Sequence, residues 1–212
     1  MTKSIVVLGA GGHAAVLVEM LITQKFDIKA LVSPDKPKNT NTFANLAHWQ
    51  DEAKILKLDP KSILLVNGIG SMPRSHARQE VYKKFTEAGF KFLTLISPHA
   101  FVSPSVEIGS GVQIMAGSII QTGCKIGDNS IVNTGAIVDH GCQIGRHNHL
   151  APGATLSGEV VTAEGVHIGT GATLIQGIQI AAFSIIGAGA IVTKSVTEKQ
   201  IIYPARSTSK PI

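Results

Sequence analysis

The run IGDNSIVNTGAIVDHGCQIGRHNHL, from Ile126 to Leu150, carries the pattern that decides the fold. Ile126, Val132, Val138, Ile144 and Leu150 stand six apart, and the same step extends in both directions. From Val102 to Val192 it meets sixteen positions, of which only Thr162 is not aliphatic. Chance does not produce that column. Four residues after each aliphatic comes something small or apolar, as at Ser118, Cys124, Ser130, Ala136, Cys142 and Ala154. Three residues after it comes glycine in most turns, among them Gly111, Gly123, Gly135, Gly153 and Gly171. A chain that turns every six residues needs positive φ at the turn, which glycine adopts without strain. An inward aliphatic, an inward small residue and a turn glycine describe a short flat strand followed by a corner. Three such strands close a triangular coil of about 18 residues, and stacked coils pair as a parallel β-solenoid of about five coils.

Upstream of the repeat the pattern changes. Ser4-Ile-Val-Val-Leu8 reads as a buried strand, followed by Gly9-Ala-Gly-Gly-His13 and an amphipathic helix to about Gln24. Phe26 to Val32 reads as a second strand, His48 to Leu58 as helical, and Ser62 to Asn67 as another buried strand. Arg74 to Ala88 reads as a helix stopped by Gly89, and Phe90 to Ile96 as a returning strand. Strands alternating with helices imply a small parallel sheet of Rossmann-like α/β type with helices on its faces. The expected division is an α/β nucleotide-type domain over residues 1–97, the all-β solenoid over 98–194 and a tail over 195–212.

Composition narrows the function. With 44% hydrophobic and 16% charged residues the chain can bury a core, and no apolar run approaches the roughly 20 residues of a membrane helix. The run Ile5 to Leu8 is too short for a signal-peptide core. Two cysteines exclude a disulfide framework and point to a reducing, cytoplasmic setting. A net charge of +5 with 5% aromatics and no basic cluster interleaved with them argues against nucleic acid and fits a small phosphorylated ligand.

Three constellations carry chemistry. The glycine cluster after the first strand is read as the turn that offers helix-terminal N–H groups to a phosphate, with a tight structural turn as the alternative. Asp35 stands just past the second strand, placed to meet a ribose hydroxyl or to face water. In the repeat, histidines must point away from the aliphatic core. His140 falls at a corner two positions after the inward Val138, where an imidazole can act as general base or simply be solvated, with Asp139 and Asn133 available to fix its tautomer. His149 lies nine residues on, half a coil away, so both can serve one substrate only if the site forms between neighbouring prisms, as in a trimer. His149 and His167 are 18 apart and stack at about 4.8 Å, an arrangement a metal-dependent hydratase could use, although no third ligand is evident. Cys142 belongs to the inward small column and reads as core filling.

The glycine start, the α/β domain and the stretch Asn133 to Gly158 together resemble one family across essentially the whole chain. It is the sialic acid O-acetyltransferase and bacillosamine-pathway UDP-amino-sugar N-acetyltransferase family, whose hexapeptide repeats form a left-handed parallel β-helix. The resemblance implies an acetyl-CoA-dependent acyltransferase, a homotrimer with active sites between subunits, and no metal. The implied acceptor is a nucleotide-linked amino sugar, here the 4-amine of a UDP-4-amino-4,6-dideoxy-N-acetylhexosamine. Sialic acid O-acetylation is the alternative within the family, and a non-catalytic nucleotide-sugar-binding trimer is one outside it. Carried over by position, His140 matches the general base, Asn133 the asparagine before it, and His149 the contact to the acetyl carbonyl. Gly158 falls where the backbone meets the pantetheine arm, with Gly141 beside it. Ala205 and Arg206 match the ending near the coenzyme's adenine. Gly9, Gly11, Gly12 and His13 match the nucleotide-sugar loop, with Asp35 as a nucleoside contact and Gly68 at the neighbouring strand end. The sequence departs from the family in having Gly141 where an acid often follows the base, Ser33-Pro34-Asp35 in place of an acid pair, and Tyr203 in place of a frequent glycine.

Overall fold

The computed structural model describes residues 3–37 and 40–205. The chain forms two compact units, Met1–Leu95 and Ile96–Ile212.

In the first unit, β1 (Ser4–Leu8) is the inner strand of a four-stranded parallel sheet. It pairs with β2 (Ile28–Val32) on one side and with β4 (Ile63–Asn67) on the other, and β3 (His48–Trp49) closes the edge beyond β2. Ile5, Val6 and Val7 are fully buried, as strands covered on both faces require. Register puts Leu8 beside Val32 and Asn67, so three loops leave the sheet at its carboxyl edge. Helix α1 (Gly12–Thr23) starts in the first of them, and the short helices α2 (Thr40–Phe43) and α3 (Ala53–Leu56) flank β3 in sequence. Helix α4 (Ala77–Glu87) ends at Gly89 with φ +86° and packs Tyr82 and Phe85 against Phe90 and Phe92.

Two expectations fail here. The segment expected to be helical from His48 opens as β3, because Leu31 and Ser33 of β2 donate N–H groups to Ala47 and Trp49 and leave only Ala53–Leu56 to wind. The strand expected over Phe90 to Ile96 shrinks to a single bridge between Leu65 and Phe92, after which the chain enters the two-residue strand Leu95–Ile96 at the junction.

The second unit is a three-sided coil of two-residue strands. Its sheets hold five, seven and six strands, and the register within each is 18 residues, as in Lys125 with Gln143, Ile131 with His149 and Ile137 with Thr155. The aliphatic column and the small column fill the interior: Ile120, Val138, Leu156 and Leu174 are fully buried, as are Cys124, Ala136, Cys142 and Ala154. Thr162 keeps its place in the column by accepting the Gly145 N–H at its hydroxyl. Every sixth residue from 111 to 189 has positive φ: glycine at ten corners, and Asn129, His147, Glu159 and Phe183 at the rest. The coil ends when register drops to 16 residues, Ile180 meeting Val196 and Ile185 meeting Ile201.

Candidate active site and nucleotide cleft

The edge between the six-stranded and five-stranded sheets carries His140. Its neighbour one coil on, by the 18-residue register, is Gly158. A Cβ on Gly158 would stand 2.4 Å from His140 Cε1 and 2.5 Å from Nε2. The imidazole therefore lies over a backbone that has no side chain, in the space a Cβ would take, while the residue stays exposed. Asp139 does not reach the ring; its Oδ1 accepts the His140 backbone N–H at 2.7 Å. Gly141, with φ +70°, faces Glu159, whose Cγ would be 3.3 Å from a Cβ there. Glu159 also donates its N–H to the His140 carbonyl at 2.8 Å, so its side chain is an acidic neighbour that sequence reading missed. The signal was present, since Glu159 lies one coil beyond Gly141.

His149 is buried in the seven-stranded sheet, on the face opposite the edge that bears His140. One chain cannot bring the two together. Asn133 sides with His149: its Nδ2 lies 3.1 Å from His149 Nε2, while its Oδ1 accepts the Thr134 N–H at 2.8 Å. With the amide oriented this way it donates to Nε2, which places the ring proton of a neutral His149 on Nδ1. His167 stacks edge-on to His149 with centroids 4.9 Å apart, and burial lowers its pKa. Among the described residues, no group of three His, Cys, Asp or Glu side chains is arranged to hold a metal.

The first unit has its own concavity, a cleft of about 410 Å³ between the Ala10–Gly12 loop and the Ser33–Lys36 loop. Helix α1 begins beside it with Gly11 as N-cap, no side-chain cap and no acid in its first turn, so the positive end of its dipole faces the cleft walls uncompensated by a carboxylate. At Gly11 and Gly12 an added Cβ would meet nothing within 4 Å, and neither has positive φ. Packing and backbone geometry therefore do not demand glycine at either position. Gly9 and Gly68 are different. A Cβ on Gly9 would come within 3.0 Å of the Gly68 carbonyl carbon, and one on Gly68 within 2.7 Å of the Leu8 oxygen. These two allow the ends of β1 and β4 to meet, and the cleft walls include neither them nor His13, which lies against Gly70. The buried Arg78, lowered to about 9 by desolvation, secures the same loop by donating to the Asn67 and Ile69 carbonyls at 2.8 Å. Asp35 does line the cleft, and with it Ser33 of the same quoted stretch and Lys36, which the sequence reading passed over. Ser33 is held by its hydroxyl donating to the Asp35 carbonyl and by His48 Nε2 at 3.0 Å.

Comparison with known proteins places this arrangement. Residues 4–85 match the model of the PglD N-terminal domain, and residues 105–139 and 123–158 match the bacterial transferase hexapeptide (six repeats). Perosamine N-acetyltransferase from Caulobacter crescentus, solved as a histidine-to-asparagine variant with CoA and GDP-perosamine, is 32% identical, covers 95% of this chain and 93% of its own, and superposes with a TM-score of 0.82. The chain belongs to this family of hexapeptide-repeat sugar acetyltransferases. The acetyltransferase domain of PglB from Neisseria gonorrhoeae, solved with acetyl coenzyme A, is 28% identical, with 98% and 100% coverage and a TM-score of 0.85. A UDP-N-acetylbacillosamine N-acetyltransferase from Bacillus subtilis is 37% identical over 119 residues, which is 54% of this chain and 52% of that protein. That match spans about half of the relative's length.

The fold is accordingly that of the family, an α/β unit followed by a left-handed parallel β-helix. At its end, the Tyr203–Pro204 backbone runs along Gly187, where a Cβ would meet Pro204 Cδ at 3.0 Å. Ala205 is exposed, and Arg206 lies outside the described residues. Among the described residues, no helix is long and apolar enough to cross a membrane.

Proposed function

We propose that this chain transfers the acetyl group of acetyl-CoA to the amine of a nucleotide-linked amino sugar, with a UDP-4-amino-4,6-dideoxy-N-acetylhexosamine as the acceptor. The observation that carries this reading is the His140 imidazole laid on Gly158, an exposed base aimed by a bare backbone on the edge of a β-helix. His140 accepts a proton from the amine as the nitrogen bonds to the thioester carbonyl carbon. The carbon–sulfur bond breaks, and coenzyme A departs as the thiol once that proton reaches its sulfur. No covalent acyl-enzyme is needed. The two cysteine thiols are buried inside the coil, away from any bound thioester.

Residues 1–97 serve as the nucleotide-sugar domain, 98–194 as the acetyl-transfer domain and 195–212 as the tail near the coenzyme. Gly11 and Gly12 let the diphosphate approach the α1 N-terminus, Lys36 adds positive charge, and Asp35 reaches the nucleoside. Gly9, Gly68 and His13 shape that loop. The relatives act on UDP- and GDP-linked sugars by name, which supports a nucleotide diphosphate in the cleft.

The active unit is a homotrimer. His140 and His149 lie on opposite sides of one prism, so a site that uses both takes them from different copies. The outward columns support this. The six-stranded sheet presents Phe101, Ile119, Ile137, Thr155, Thr173 and Ile191, with Ile191 73% exposed. The outward column of the seven-stranded sheet starts with Leu95, Gln113, Ile131 and His149, already buried within the chain, and leaves His167, Ile185 and Ile201 half-buried, whereas the five-stranded sheet presents Glu107, Lys125, Gln143, Val161 and Gln179. A prism in a closed trimer buries two faces and exposes one, and here the six-stranded face and the later coils of the seven-stranded face are suited to burial. We place the enzyme in the cytoplasm, where acetyl-CoA and nucleotide sugars meet.

The test is release of free coenzyme A from acetyl-CoA with four acceptors: the UDP-linked 4-amino sugar, its GDP-linked counterpart, free sialic acid and CMP-sialic acid. Release with the UDP amino sugar is expected. Release with the GDP sugar alone would correct the nucleotide. Release with sialic acid alone would move the chain to the O-acetylating branch, and no release with any would overturn the proposal.

A further inference from the structure

The inward column beneath the His140 edge reads Val106, Cys124, Cys142, Val160 and Ile178, one residue per coil. Both cysteines are fully buried. Each thiol reaches forward to a corner carbonyl fifteen residues on. Cys124 Sγ donates to the Asp139 carbonyl at 3.0 Å, and Cys142 Sγ donates to the Ser157 carbonyl at 3.2 Å. Asp139 and Ser157 immediately precede His140 and Gly158, the two residues whose contact aims the candidate base.

The column supplies its own comparison. The four successive corners of this edge begin at Gln121, Asp139, Ser157 and Ile175. At the first and last, the residue fifteen positions earlier is Val106 or Val160, and neither can donate a hydrogen bond. The coil therefore closes at this edge without a donor. Thiols stand only at the two levels that carry His140 and Gly158. On the next edge, Ser130 and Asn148 donate in the same way to Gly145 and Ala163, so the geometry is general while its placement here is selective. Contact with the stacked Cys124 sulfur and burial push the Cys142 thiol upward, and the same contact lowers that of Cys124 to about 7, while the Asp139 carbonyl in front of the Cys124 sulfur favours its protonated, donating form.

We propose that Cys124 and Cys142 are positioning residues for acetyl transfer, their thiols fixing the peptide planes that lead into His140 and Gly158. Fixing the Asp139 carbonyl sets the 139–140 peptide, and with it the direction from which the His140 side chain leaves. Fixing the Ser157 carbonyl does the same for the surface on which the ring rests. The ring occupies the space that a Gly158 Cβ would take, so its position depends on both peptide planes. A small rotation of either plane moves the nitrogen that must meet the amine. Misplacement by about 1 Å costs on the order of a hundredfold in rate. The proposal rests on His140 being the base.

Cys124→Val and Cys142→Val remove the donors while installing the residue that the same column already uses at two other levels. In the full chain each is expected to lower kcat by about 10- to 100-fold and to leave KM for acetyl-CoA within about twofold. Cys124→Ser and Cys142→Ser restore an O–H donor and are expected to recover most of the lost kcat. Ser130→Ala, which removes a donor from the neighbouring edge, serves as the control and is expected to hold kcat. If a valine variant does not fold, Cys→Ala takes its place, since Ala136 and Ala154 fill equivalent inward positions. A second readout needs no acceptor: in protein carrying ¹³C-labelled histidine, the His140 ring resonance is expected to shift in the valine variants and to return toward its place in the serine variants. Folded valine variants with wild-type kcat, or with an unmoved His140 resonance, would overturn the proposal. His140→Asn in the same assay separates the two ideas. If it keeps wild-type activity, the base assignment fails; if it is inactive while the valine variants are not, only the thiol proposal fails.

Discussion

Gly158 shows how a missing side chain makes room for another residue's ring. His140 is an exposed corner residue with no carboxylate against its ring, and its direction comes from resting where a Cβ would otherwise be. Replacing His140 by asparagine is expected to lower acetyl transfer by about 10²- to 10⁴-fold, the usual worth of a general base, with coenzyme affinity measured by calorimetry unchanged. Gly158→Ala is the more discriminating change. Gly158 does not have positive φ, so its backbone accepts alanine. The exposed ring can swing away, so the melting temperature is expected to stay within a few degrees while kcat falls on the order of a hundredfold. Equal losses of stability and rate would mean that the contact holds the coil together and does not aim the base.

At the scale of elements, α1 and the seven-stranded sheet each make a claim. Gly11→Ala puts a methyl group into empty space beside the α1 N-terminus. It is expected to leave the fold intact and to weaken nucleotide-sugar binding by about 1–2 kcal/mol, roughly tenfold, without altering KM for acetyl-CoA. His167 is half-buried with its pKa lowered by desolvation, so the unfolded chain binds its proton more readily than the folded one. Stability therefore falls as pH drops below the ordinary histidine value of about 6.5 and is fully present above it. In His167→Gln, the urea midpoint is expected to lose less between pH 8 and pH 5.5 than in the wild type. How legible these elements were depends on what fixed them. Period six and positive φ at the corners dictate the coil residue by residue, so its strands, its inward columns and the adjacency of His140 and Gly158 all follow from counting. Asn133 was available in sequence to either histidine, and only side-chain direction gives it to His149. His48 and Trp49 were read as helical because local pattern cannot report that the β2 edge recruits them by hydrogen bonds from Leu31 and Ser33. Lys36 sat beside the quoted Asp35, but loop curvature, which leaves no periodic trace, is what turns both into one cleft.

At the scale of the whole molecule, the decisive question is whether one chain holds a complete site. Sheet order puts His140 on the edge between the five- and six-stranded sheets and His149 on the remaining face, so no rearrangement of side chains within a coil unites them. On the proposed reading a second copy supplies what the single prism lacks, and the outward columns say where. A charge on the six-stranded face, as in Ile191→Glu or Ile137→Glu, would have to be buried against an apolar neighbour, an unpaired burial that costs several kcal/mol. Gln143→Glu places the same charge on the five-stranded face, beside Lys125 one coil away and in solvent, where the cost is small. Light scattering is therefore expected to give a trimer mass for wild type and Gln143→Glu and a monomer mass for Ile137→Glu, with acetyl transfer lost in step with the trimer. Mixing supplies the stricter check. His140→Asn and His149→Ala subunits are each expected to be inactive alone, whereas the proposed mixed trimer would contain interfaces where an intact His140 faces an intact His149. Activity that reappears on mixing after reversible dissociation would show the site to be shared, while two variants that stay inactive in proven mixed trimers would return both histidines to separate tasks within one chain.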